Sequence, residues 1–195
     1  MIADVRTPTF ELARGGIVII FKDRRSLRVS LHWLLAVLVT AMFILGFVWL
    51  RPMSNLDPEK IALLAAHMAG GVVVLGCVAL RLALRLPADV VRVQPRSRTA
   101  AAVQFSLYGL IILLVATGVA TALLARLPSI VWHGDAARLP TRFTIFPTFV
   151  AHAIFAELLA LLSIIHVGAA LFHHFVKKDR LLSAMSFGPR REGAA

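Results

Sequence analysis

The stretch 149–176, FVAHAIFAELLALLSIIHVGAALFHHFV, decides the fold. It is apolar almost throughout, and it carries one acid, Glu157, and four histidines, His152, His166, His173 and His174. A helix rises about 1.5 Å per residue, so roughly 20 residues cross the hydrocarbon of a bilayer. This stretch is longer than that, so it must tilt or project beyond the bilayer. Three further runs match it in character: Ser30–Leu50, Ile61–Leu80 and Val103–Leu124. Each is close to one membrane thickness.

Composition supports the same reading. Apolar residues make up 59% of the 195, against about 45–50% in an ordinary globular chain. Only helices and closed barrels satisfy their backbone in lipid. Strands of about ten alternating residues, the mark of a barrel, do not occur. The expected fold is therefore an all-α integral membrane protein, a bundle of four transmembrane helices. The first run is too long for a signal peptide, follows a long basic preface and lacks an A-x-A site, so it reads as a retained helix. Cys77 stands alone within an apolar run and can form no disulfide framework; it reads as a small filler.

The formal net charge of +11 does not point to nucleic acid, because the cations flank the apolar runs. Six Lys and Arg precede residue 30, five lie in 81–102 and five in 177–195; only two lie in 51–60 and three in 125–148. The positive-inside rule then places both termini in the cytoplasm. Trp33, Trp49 and Trp132 fall near the interfaces as belt residues. The chain divides into a cytoplasmic segment 1–25, disordered or lying on the membrane surface, a four-helix domain over 26–185, and a tail over 186–195. The connection 125–148, with Pro128, Pro140 and Pro147, reads as an ordered external loop with one short helical turn.

Ionisable side chains inside membrane helices are costly and mark function. A single histidine there would serve helix packing as readily as chemistry, but several at matched depths would not. His152 and His166 are 14 residues apart, about 21 Å along the axis and nearly four whole turns, so both face almost the same way. His67 lies near the external end of the second run, level with His152. His32 lies near the cytoplasmic end of the first, on the side of His166. Each cross-helix pair, His67 with His152 and His32 with His166, can clamp a flat macrocycle between helices. Two imidazoles per iron leave no open position and suit electron transfer. The expectation is two haem b groups. His32 is level with His166 if the first helix begins a turn early, near Ser26; otherwise His173, one heptad after His166, competes. The histidines are too far apart along the helices for one tetrahedral zinc.

Other residues complete the expected site. Gly71, one turn after His67, lets a flat ring approach the backbone, or serves helix packing with Gly70. Arg81 and Arg85 end the second helix, as snorkelling anchors or as partners for haem propionates. Glu157 is expected to hydrogen-bond the third helix at Thr117 or Thr121, or to donate protons to a quinone. Arg126, Arg138 and Arg142, opposed only by Asp135, make the external loop basic and suited to attracting an anion.

The residues at this point resemble the prokaryotic cytochrome b561 family of dihaem membrane proteins. The resemblance rests on LHWLLA at 31–36, H-x-x-x-G from His67, RLALRL at 81–86, QFSLYGL at 104–110 and HVGAALFHHFVKKDRLLSAM at 166–185. It covers Ser30–Met185. It implies iron ligands at His32, His67, His152 and His166, in agreement with the depths, and no iron role for His173 and His174. The chain departs from the family's pattern at Gln104, Met68 and Val115, none of them a ligand position. Some family members are similar to a superoxide:ubiquinone oxidoreductase, and distant relatives are cytochrome b subunits of hydrogenases and dehydrogenases. The resemblance thus implies an oxidoreductase of the bacterial inner membrane. It would pass electrons from a periplasmic donor such as superoxide to ubiquinone, or alternatively serve a partner dehydrogenase, hydrogenase or periplasmic cytochrome. A haem-free membrane scaffold is the third reading, opposed by the matched histidines.

Overall fold

The structure, a computed structural model, describes residues 9–84, 98–178 and 182, with side chains for 26–84, 98–178 and 182. Arg85, residues 1–8 and the segment 186–195 lie outside the described residues. Helix α1 runs Thr9–Phe43 and continues as a π-helical turn over Ile44–Leu50. Helix α2 spans Lys60–Ala83, α3 Arg98–Leu124, α4 Leu127–His133 and α5 Pro147–Phe175. Among the described residues four segments are long and apolar enough to cross a membrane: Ser26–Leu50, Lys60–Ala83, Arg98–Leu124 and Pro147–Phe175. The four expected runs are all helical, each within a few residues of its expected bounds. The first run is already helical well before Ser30, because α1 starts at Thr9, and this sets His32 more than a turn inside the helix.

Local chemistry explains the ends. Pro147 opens α5, where its missing N–H would have no helical partner and its fixed φ already suits the helix. Pro128 plays the same part in α4, and Gly134 closes α4 in the left-handed region at φ 66°. The connection 125–146 is more ordered than the single turn expected: it holds α4 and two 3₁₀ turns, Ala136–Arg138 and Phe143–Ile145. The reason is local amphipathicity. Leu127 and Ile130, three apart on one face, are buried with Leu64, Ala122, Ala125 and Leu139.

This loop and the connection 51–59 are knitted together over one end of the bundle. Asn55 Nδ2 donates to the Pro140 carbonyl at 2.6 Å. Lys60, buried, donates to the Met53 carbonyl at 2.6 Å and lies 5.9 Å from the Phe143 ring centre. We call this the loop end; Arg81 marks the opposite end.

All four spans meet in one core. Leu35, Val74, Val78, Tyr108, Ile111 and Leu159 are buried together, with Cys77 half-buried against them. Backbone packing is uneven, however. Span 1 packs on α2, α2 on α3, and α3 most extensively on α5, whereas α5 makes little close backbone contact with span 1 or α2. Across that wider separation, it is mainly side chains that connect the helices.

Candidate functional site

The histidines bridge the helices whose backbones stand apart. His67 of α2 and His152 of α5 have ring centres 6.1 Å apart, with planes crossed at 71°. His32 of span 1 and His166 of α5 have ring centres 6.5 Å apart, crossed at 81°. Both expected pairs are thus brought together, the first toward the loop end and the second toward the Arg81 end. The ring of His173 lies 6.2 Å from that of Phe172. His133 closes α4 with its Nδ1 on the Ser129 carbonyl at 2.8 Å, and His174 lies against Phe175.

The spacing can be tested against a metal–imidazole bond of about 2 Å. Adding the distance from nitrogen to ring centre would put each centre roughly 3 Å from a shared metal, so two imidazoles that hold one metal would have centres up to about 6 Å apart. Both ring-centre separations are close to this value. Among the described residues no three His, Cys, Asp or Glu gather as a metal cage. Each pair instead offers two ligands, the number a haem's macrocycle leaves to the protein.

The surroundings of the loop-end pair fit the same role. His152 Nδ1 lies 2.9 Å from the Leu114 carbonyl oxygen. A carbonyl can only accept, so Nδ1 carries the proton and Nε2 keeps its lone pair for a metal. A Cβ added to Gly118 would come within 3.0 Å of both Cε1 and Nδ1 of His152, so only glycine lets α3 pass this ring without displacement. Across the site, Gly46 of the π turn faces His67 Cε1, at 3.6 Å from its own Cβ position. His67 Nδ1 is buried with no hydrogen-bond partner among the described residues, an atom that a proton-sharing or ligand role would satisfy. Thr121 Oγ1 and Thr148 Oγ1, 2.8 Å apart, join α3 to α5 above this level.

At the other level Arg81 turns inward. Its Nε donates to Tyr108 Oη at 2.7 Å and its Nη1 to the Arg28 carbonyl at 3.3 Å. It is close enough to interact electrostatically with both His32 and His166. Gln104, one turn before Tyr108, has a buried Oε1 without a partner among the described residues. Gly71 meets nothing within 4 Å of its Cβ position, whereas Gly70 faces Met42 Sδ at 2.5 Å. Gly70 is therefore the packing glycine, and Gly71 has an open face.

Glu157 departs from expectation. Thr117 and Thr121 hydrogen-bond helix carbonyls and Thr148, while Glu157 Oε1 pairs with Arg51 Nη1 at 3.2 Å. Arg51 is carried there by the end of span 1, a partner that no spacing along α5 could reveal. Leu114 and Gly46 likewise carry no sign of their histidine contacts in the sequence. Gly118 left one signal, a glycine in the third apolar run at the depth of His152.

A four-span helical bundle with histidines paired between its helices belongs to the class of membrane cytochromes b. The chain belongs to the prokaryotic cytochrome b561 family, whose model matches residues 25–188. It is also similar to cytochrome b562 of Cereibacter sphaeroides, with 30% identity over 165 residues, covering 82% of this chain and 92% of that protein. No solved structure matches it. The protein is accordingly a multi-pass bacterial membrane cytochrome b, a haem b protein of electron transfer.

Proposed function

We propose that this chain holds two haem b groups, one between His67 and His152 and one between His32 and His166, and moves electrons through the bacterial inner membrane between a periplasmic donor and ubiquinone. The supporting observation is the pair of ring separations, 6.1 and 6.5 Å, at two levels of one helix. When bound, the haems would supply one-electron redox chemistry, with the two histidine pairs as the residues that hold them. The chain's own part is positional. Leu114 sets the tautomer of His152, Gly118 and Gly46 leave room beside the rings, and Arg81 places a cation near the second pair. Arg81 and Arg85 are the proposed partners of propionates, and the open face of Gly71 admits the ring.

Both termini lie on the cytoplasmic side in this reading, so the loop end faces the periplasm. The donor is then an anion small enough to be drawn by loop arginines, superoxide being the candidate. A pyridine haemochrome assay on the fully loaded protein tests the central claim. It should approach two haems per chain, with low-spin spectra; a reproducible value near one would overturn it.

A further inference from the structure

The ion pair between Arg51 and Glu157 sits in an unusual place. Glu157 is ten residues inside α5, about 15 Å along a segment that crosses the membrane. Both partners are more than half exposed, at 67% and 57% of their side chains. Around them the surface is apolar: Val48, Ile154 and Leu158 are exposed. The pair is thus a polar island among exposed apolar side chains of two membrane-crossing segments, where ionisable groups are costly and mark function.

Its surroundings resemble a binding surface. The Arg51 guanidinium lies 6.0 Å from the Phe47 ring centre, and Phe47 lies against Phe43 at 6.0 Å with planes only 33° apart. The contact between Arg51 and Glu157 is single, one nitrogen to one oxygen, so a carboxylate oxygen and further guanidinium N–H groups remain for a ligand. The island also adjoins the loop-end histidines. Arg51 N–H bonds the carbonyl of Gly46, whose Cβ position faces His67, and Glu157 follows His152 by five residues.

We infer that Arg51 and Glu157, beside the aromatic step of Phe47, form the site where the headgroup of a membrane quinone binds and exchanges protons. The inference rests on the quinone reading of the proposed function. A donor and an acceptor side by side suit one headgroup oxygen in both redox states. As a quinone carbonyl it accepts from Arg51; as a quinol hydroxyl it donates to Glu157. Reduction of a quinone takes up two electrons and two protons. The electrons come from the periplasmic donor of the proposed function, and the protons reach the headgroup oxygens through the Glu157 carboxyl, which is reprotonated from water after each transfer. The flat ring lies against Phe47, and the isoprenoid tail runs along the exposed apolar wall of α5.

The test uses the haem-loaded full chain and decylubiquinone. Dithionite-reduced wild type should be reoxidised by decylubiquinone. Arg51→Gln and Glu157→Gln should each slow this by about tenfold to a hundredfold, the worth of a charged hydrogen bond. They should also raise the KM for the quinone while haem content and spectra stay unchanged, and Glu157→Asp should restore part of the rate. An azido-ubiquinone should label the wild type within 154–161 and be competed off by decylubiquinone. If wild type exchanges no electrons with decylubiquinone, the proposed function fails and the site with it. If wild type reacts but both Gln variants match it, and the label maps elsewhere, the function stands and this site is wrong. If the variants lose haem, the wild-type label decides: within 154–161 it supports the site, elsewhere it overturns it.

Discussion

The Nδ1 of His152 donates to the carbonyl oxygen of Leu114, 38 positions earlier in the chain and 2.9 Å away. A helix carbonyl in α3 thereby selects the tautomer of a side chain in α5, and with it which nitrogen can bind metal. The four-residue step from Leu114 to Gly118 places the glycine on the same face, where it leaves room for that ring. Between the two histidine levels stands Leu159, 1% exposed. It is seven residues from His152 and seven from His166, so it lies on nearly the same face and separates the two levels with apolar packing.

The two levels should separate spectroscopically. His67→Ala and His152→Ala should disturb one haem component, and His32→Ala with His166→Ala the other, because an imidazole cannot span the roughly 21 Å between levels. His133→Ala and His174→Ala should leave both intact. Redox-titrated difference spectra of each variant check this. Loss of a component in His173→Ala, with His166→Ala spared, would contradict the pairing.

Gly118→Ala should harm the loop-end component without touching the other. Its Cβ would meet two ring atoms of His152 at 3.0 Å, and the ring is held by its bond to Leu114. Overpacking of this kind costs about 1–3 kcal/mol. Gly46→Ala, at 3.6 Å from His67, should be tolerated. Thermal melts and haem content compare the two; equal behaviour would show that the His152 ring can yield.

The cations of the external loop should differ in their effect on superoxide-driven reduction. Arg138 is already paired, its Nε 2.8 Å from Asp135 Oδ2, so Arg138→Gln should matter least. Arg126→Gln and Arg142→Gln together should slow the reaction, and added salt should slow wild type, since exposed charges are screened within about 8–10 Å. Stopped-flow rates across ionic strength measure both. A rate indifferent to salt and to these substitutions would make the loop charge incidental.

The orientation carries its own test. Sixteen of the 21 Lys and Arg lie in the segments 1–29, 81–102 and 177–195, which should keep both chain ends in the cytoplasm. A green fluorescent protein fused after Ala195 should fluoresce, and alkaline phosphatase there should stay inactive. Strong phosphatase activity would reverse the topology and remove the loop end from the periplasm.

Sequence alone determined the four spans, their order and the depths of the histidines. Those quantities follow from hydropathy, helix rise and the 3.6-residue turn, all local properties of the chain. His152 and His166 on one face of α5 are legible for that reason, and so is the matching of His67 and His32 to their levels. Tertiary structure decided what each ring touches. Leu114, Gly118 and Gly46 meet the histidines only because α3 and the π turn pass at particular rotations and distances, set by the packing of Leu35, Val78, Ile111 and Leu159. The same holds for Glu157. Its place within a helix is read from the chain, but its partner Arg51 lies 106 residues earlier. Span 1 delivers it there by packing against α2, and side-chain packing between helices leaves no periodic trace in the sequence of either.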